Sequence, residues 1–266
     1  VWRVSRLILA WLLLLHSSLA AARGWDGDFE QLRFSINWLF FNAGVAIIQA
    51  APIDRQTTEL RLEACSNPVL DLIYKVRDQV ITSTGYQQGQ YRSLQYRYLQ
   101  EEGGDRSDLS VDFSKPGEII FLDNLETRKE KRRQLFKTDK PRMDMATAFF
   151  YSRGLPLEVG ESYPVPVFDK GKSYALVIDV LRREAIDTML GDDTPTVVIH
   201  PRLQTDGFFK RKGEILIWIT DDDRHLPVRM TSKVRVGKVV SELTDIVTTP
   251  TAQNPTGLIC ETLREQ

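Results

Sequence analysis

Histidine and cysteine are scarce in this chain, with three of the former and two of the latter among 266 residues. His16 falls in an apolar stretch near the start, so His200 and His225 are left to serve as bases or metal ligands in the body of the protein. No Gly-x-Ser-x-Gly elbow occurs, and no serine stands in a strand-turn-helix context that would arm it. A Ser-His-acid hydrolase is therefore the weakest function class and survives only if His200 or His225 is catalytic. An excess of charge of one sign is missing as well. The 35 Lys and Arg against 36 Asp and Glu leave a net charge of −1, with no global field for nucleic acid.

Long apolar runs are limited to one, Leu7–Leu19, preceded by Arg3 and Arg6 and followed by Ala20-Ala21-Ala22. A membrane-spanning helix needs roughly twenty apolar residues. The run is shorter and reads as the h-region of a signal peptide cleaved after Ala20 or Ala22, with an uncleaved anchor as the alternative. No cysteine stands at the junction, so lipid-anchored maturation is not expected. The expected organisation is a signal peptide over 1–22, a β-rich envelope domain over 23–247 and an irregular tail over 248–266. The expected compartment lies outside the cytoplasm, with no transmembrane segment after cleavage.

In an oxidising compartment Cys65 and Cys260 could form one disulfide closing most of the chain, or they could be two separate small thiols. Their separation in sequence does not say whether their Cα atoms come within about 7 Å. As a nucleophile, Cys65 lacks any local base or electropositive surround.

What is abundant is period-two alternation. Leu32, Phe34, Ile36, Trp38 and Phe40 alternate with Arg33, Ser35 and Asn37, which predicts a strand with one buried face. A turn is expected at Phe41–Gly44, with strands at Val45–Ala50 and Leu60–Ala64. A helical turn at Pro68–Ile73 then precedes strands at Tyr74–Ser83, Tyr91–Leu99, Leu109–Phe113 and Glu118–Leu122. Gly-Gly-Asp and Lys-Pro-Gly separate these runs, punctuation that argues for hairpins and not for crossovers through helices. One segment looks convincingly helical: Asp144 as cap, Met145, Ala148 and Phe149 at helical spacing, and a stop at Gly154 and Pro156. Further strands are expected at Tyr174–Arg182, Thr196–Arg202, Glu214–Thr220, Pro227–Val236 and Lys238–Ile246. Open sheets seldom exceed about ten strands without curling. The fold class is therefore mainly β, a single curved antiparallel sheet or half-barrel with one short covering helix.

The segment Asp221-Asp222-Asp223-Arg224-His225 could hold a divalent cation through carboxylates and one imidazole. Its spacing matches no calcium loop and lacks that loop's glycine, so an acidic turn is favoured and no metal site is assigned. Arg128–Arg133 is the one dense basic run. It suits anionic headgroups or an envelope protein, or else a solvated hairpin whose charges discourage strand pairing. Phe34, Ile36, Trp38, Phe40, Tyr96, Tyr98, Phe149, Phe150 and Trp218 are ordinary core if the sheet is filled, and would line an apolar ligand cavity if it is hollow.

Several segments together carry a resemblance: Phe149-Phe150-Tyr151-Ser152-Arg153-Gly154-Leu155-Pro156-Leu157, Tyr163-Pro164-Val165-Pro166-Val167, Glu214 through Asp222, Leu226-Pro227-Val228 and Val236-Gly237-Lys238. With Ile36-Asn37-Trp38 and Ala43-Gly44-Val45-Ala46, the chain resembles the bacterial envelope family catalogued as domain of unknown function 3108. The resemblance implies a secreted curved sheet similar to lipoprotein carriers, and it brings no catalytic residues and no cofactor. The leading expectation is a non-catalytic periplasmic protein that binds or carries an apolar ligand such as a lipid. The alternative is an envelope interaction protein with a filled core.

Overall fold

A computed structural model describes residues 25, 27–87, 90–205, 208–209, 214–234 and 236–250. The expected signal peptide, Cys260 and most of the expected tail lie outside the described residues. The strands are β1 (Glu30–Trp38), β2 (Phe41–Pro52), β3 (Thr57–Ser66), β4 (Val76–Gln87), β5 (Gln90–Glu102), β6 (Asp105–Asp112), β7 (Glu118–Asp123), β8 (Arg133–Lys137), β9 (Ser162–Asp169), β10 (Lys172–Thr188), β11 (Gly191–Thr205), β12 (Phe208–Phe209), β13 (Ile215–Thr220), β14 (Pro227–Lys233) and β15 (Lys238–Val247). Three short helices are described: α1 (Pro68–Asp71), α2 (Lys129–Arg132) and α3 (Met145–Ser152).

All strands belong to one antiparallel sheet whose order runs β8-β7-β6-β5-β4-β3-β2-β1-β15-β14-β13-β11-β10-β9, with β12 attached to β11. The chain thus builds outward by hairpins, as the turn punctuation predicted, and β15 returns to pair with β1. The sheet is not closed by hydrogen bonds, because β8 and β9 are its two edges. It is closed by side chains. Phe168 on β9 packs against Phe136 on β8 at 5.1 Å between ring centroids, and against Phe113 and Phe121 at 6.1 and 6.4 Å. Met143, in the segment before α3, bridges to the outer edge of β9: its N–H donates to Pro166 and its carbonyl accepts from Phe168.

Proline explains why β9 is an edge. The Met143 bonds show that the backbone of Pro166 and Phe168 faces away from β10, so Pro164 and Pro166 withhold N–H groups only on the unpaired side. The expected turn at Phe41–Gly44 lies earlier, at Leu39–Phe40, where Leu39 takes φ 54°. A bulge between Ile36 and Asn37 absorbs the offset, and the alternation used to extend β1 breaks there. Two local expectations stand, although the strand expected over Pro227–Val236 ends at Lys233. Pro227 opens β14, and Gly237, at φ 75°, makes the turn into β15.

The sheet wraps around α3. On one side Ala148 packs with Leu157, Val165, Val167, Ile178, Ile199 and Ile219. Another side of the helix presents Phe150 to Leu32, Phe34, Ile48, Leu60, Leu226 and Leu243. Phe149 touches both groups. Eight residues, too short to be stable alone in water, are helical here because the surrounding strands bury them.

Candidate functional site

The concave side of the sheet is the place to look for a ligand, and α3 occupies it. Both ends of the helix are held by buried charge. At the N-terminus Asp144, fully buried, caps the helix by accepting from the N–H groups of Ala146 and Thr147, each at 2.9 Å. Its second oxygen accepts from Thr147 Oγ1 at 2.7 Å and Ser93 Oγ at 2.5 Å, and lies 2.9 Å from Thr82 Oγ1. The cap that sequence identified is thus also a clamp onto β4 and β5.

At the C-terminus Arg153 is the largest fully buried side chain. Its guanidinium donates to both oxygens of Glu30 at 2.6 and 3.1 Å, and to the carbonyls of His225 and Arg224, each at 3.1 Å. His225, at φ 45°, donates from Nδ1 to the Arg153 carbonyl at 2.5 Å. Its imidazole therefore ties the β13–β14 loop to the end of α3. In the same loop Asp222 accepts from Thr220 Oγ1 and from Arg224, the turn chemistry expected of it.

The residues proposed to line a cavity separate into three places. Phe34, Phe150 and Trp218 belong to the cluster around α3, with Phe149 beside it. Tyr96 and Tyr98 belong to the seam cluster with Phe136 and Phe168. Trp38, at the far end of β1, stacks edge-on with Phe41 at 5.6 Å and donates to the Val236 carbonyl at 2.8 Å, and Ile36 is half-buried between. Phe40 is a correction: it sits at the hairpin tip, 100% exposed, and lines no interior. Cys65 is buried and disulfide-bonded, and Cys260, the chain's other cysteine, lies outside the described residues.

Sequence reasoning missed an acidic pair beside the seam. Burial first, then a hydrogen bond and charge repulsion from Glu102, push the Asp78 carboxyl up to about 7. Burial also raises the neighbouring Tyr98 phenol, whose ring carries Lys170 Nζ at 5.1 Å. No local motif marks this site, because Asp78 and Glu102 meet only through the β4–β5 register, where Val76 is paired to Glu102. A cavity of about 320 Å³ lies elsewhere, between the β10–β11 turn and the β13–β14 loop. Its lining of Asp192, Asp193, Asp221, Asp222 and Arg224 does not suit an apolar ligand. No group of His, Cys, Asp and Glu among the described residues is placed to hold a metal ion.

One rim of the sheet collects the β1–β2, β3–β4, β5–β6, β7–β8, β9–β10 and β14–β15 connections. Most of the exposed large apolar side chains among the described residues are there. They include Phe40, Val69, Leu72, Ile73 and Val236. The basic run is on the same rim, Arg128 preceding α2 and Arg133 opening the edge strand β8. The run is thus a helical turn within the β7–β8 hairpin connection, leading into an edge strand.

The family described as "Protein of unknown function (DUF3108)" matches residues 33–244. No curated protein matches. Among solved structures, a β-barrel-like protein of the domain of unknown function DUF1849 from Brucella abortus is similar, with a TM-score of 0.55 at 8% identity, covering 84% of this chain and 98% of that one. At that identity the likeness extends to the fold alone.

Proposed function

Because this chain belongs to the family described as Protein of unknown function (DUF3108), a description that supplies no reaction, we propose from its geometry a non-catalytic envelope protein that works through its outer surface. The observation that carries this reading is the occupation of the concave side by α3, pinned at both ends by Asp144 and Arg153. A carrier needs an accessible apolar hollow, and here the aromatic side chains that could line one pack on the helix or on one another. The apolar run at Leu7–Leu19 and the disulfide-bonded Cys65 both favour export to the periplasm.

Native mass spectrometry of protein purified from its own compartment, followed by lipid extraction, tests the reading. The expected spectrum shows the bare polypeptide beginning at Ala21 or Arg23, with no saturable uptake of a fluorescent fatty acid. A stoichiometric lipid retained through purification would return the lipid-carrier reading to first place.

A further inference from the structure

We infer that the rim bearing the β1–β2, β3–β4, β7–β8 and β14–β15 connections docks on an anionic lipid bilayer. The inference deepens the surface-acting reading and rests on it.

Three hairpin ends next to one another in the sheet order present apolar side chains outward. The β1–β2 tip offers Leu39, Phe40 and Phe41 at 48, 100 and 46% exposure. The β3–β4 connection offers Val69, Leu72 and Ile73 at 72, 87 and 80%. Beside them Val234 and Val236 flank the β14–β15 turn at 42 and 59%. Exposed apolar residues scattered singly need no explanation, but a contiguous set on one edge marks an interaction surface.

These tips are held rigidly. Asn67 ties the β3–β4 connection to β2, its side chain donating to the Asn42 carbonyl and its N–H to the Ala43 carbonyl. Trp38 fastens the β1–β2 and β14–β15 tips together through the Val236 carbonyl. Tyr74 packs on the β5–β6 turn, where a Cβ on Gly103 would fall 2.8 Å from its ring. A set of separate projecting tips has no groove for a peptide, but it can enter the headgroup boundary of a bilayer, which needs only apolar side chains at a common depth.

Charge selects among bilayers. Lys129, Lys131, Arg132 and Arg133 carry no ion pair among the described residues, whereas Arg128 is paired with Glu126. Lys238 opens β15 directly after the β14–β15 turn, which places a further cation among the apolar tips. The intervening β5–β6 turn contributes Glu102 and Asp105, α2 itself carries Glu130 and β7 ends on Asp123, and against these stand Lys129, Lys131, Arg132, Arg133 and Lys238. Each basic side chain close to an anionic surface is worth roughly fivefold in binding. Phosphatidylglycerol headgroups fit this pattern.

Co-sedimentation of the mature full-length protein with phosphatidylglycerol or phosphatidylcholine vesicles decides the matter. Expected is binding to the anionic vesicles that falls with added salt. The triple variant Lys129→Glu/Lys131→Glu/Arg132→Glu should lose on the order of a hundredfold. Phe40→Ser/Leu72→Ser/Ile73→Ser should lose at least about tenfold with an unchanged melting profile, since these side chains are exposed. Absence of sedimentation overturns the inference. So does loss confined to the charge variant, which would mean simple polyanion adsorption, or crosslinking from Phe40 to one protein partner without vesicle binding. A ligand-free native mass together with no vesicle binding would remove the docking inference and leave the packed-interior reading standing. A lipid-filled interior would remove that reading whatever the vesicles do.

Discussion

Arg153 shows how much one side chain can hold. Its guanidinium is buried, and the Glu30 carboxylate, two carbonyls and the face of the Phe150 ring compensate for its lost hydration. Arg153→Met strands Glu30, and the expected cost is about 3–5 kcal/mol, read from urea unfolding. Arg153→Met/Glu30→Gln should recover much of that loss, because no unpaired charge then remains inside. The Asp78 carboxyl behaves in the opposite sense. Burial and Glu102 raise it from 3.8 to about 7, so the folded protein binds more protons than the unfolded chain between those values, and stability falls as pH rises through that window. Asp78→Asn should therefore stabilise near pH 8 and leave stability near pH 4 unchanged, a difference on the order of 1 kcal/mol after solvent screening of this half-buried site. Chemical denaturation at the two pH values reads it. Neither residue was legible in sequence as a buried charge. Arg153 finds Glu30 across 123 positions and Asp78 finds Glu102 through strand register, so their environments are products of the fold.

At the level of elements, α3 is the part on which the sheet closes. Its limits were readable locally: an Asp cap, apolar residues at helical spacing, then Gly154 and Pro156. Its role as a plug was not, since the same pattern describes a helix lying outside a sheet. Removing the Phe150 ring should cost about 3–5 kcal/mol, because the rigid strands around it cannot collapse into the space. Asp144→Ala removes the cap and orphans the donors of Ser93 and Thr147, for about 3 kcal/mol in the same assay. The β1–β2 hairpin teaches the converse. The period-two reading of β1 carries to Phe40 across the apolar Leu39, yet a bulge at Ile36–Asn37 and the tight turn at Leu39–Phe40 put Phe40 in solvent. Gly44 has a contact reason sequence could not supply: a Cβ there would lie 1.9 Å from the Cys65 carbonyl oxygen. Gly44→Ala is expected to displace β3 from β2 and to slow or abolish folding, visible as lost soluble yield.

Across the whole molecule, stability should follow the seam. Elsewhere neighbouring strands share hydrogen-bond ladders, but β8 and β9 meet through Phe168, its three aromatic partners and the Met143 bridge. Hydrogen exchange is expected to be fastest at β8 and slowest at β1, β2 and β15, and Phe168→Ala should accelerate exchange at β8 while leaving β1 protected. The strand-rich, hairpin-built architecture was determined by sequence alone, because alternation and turn residues act within about ten positions of one another. What decided whether that sheet is hollow or filled was tertiary. An aromatic residue lines a cavity or fills it according to what lies opposite. For Phe34, Phe149 and Phe150, what lies opposite comes from distant parts of the chain, across separations that no local pattern encodes.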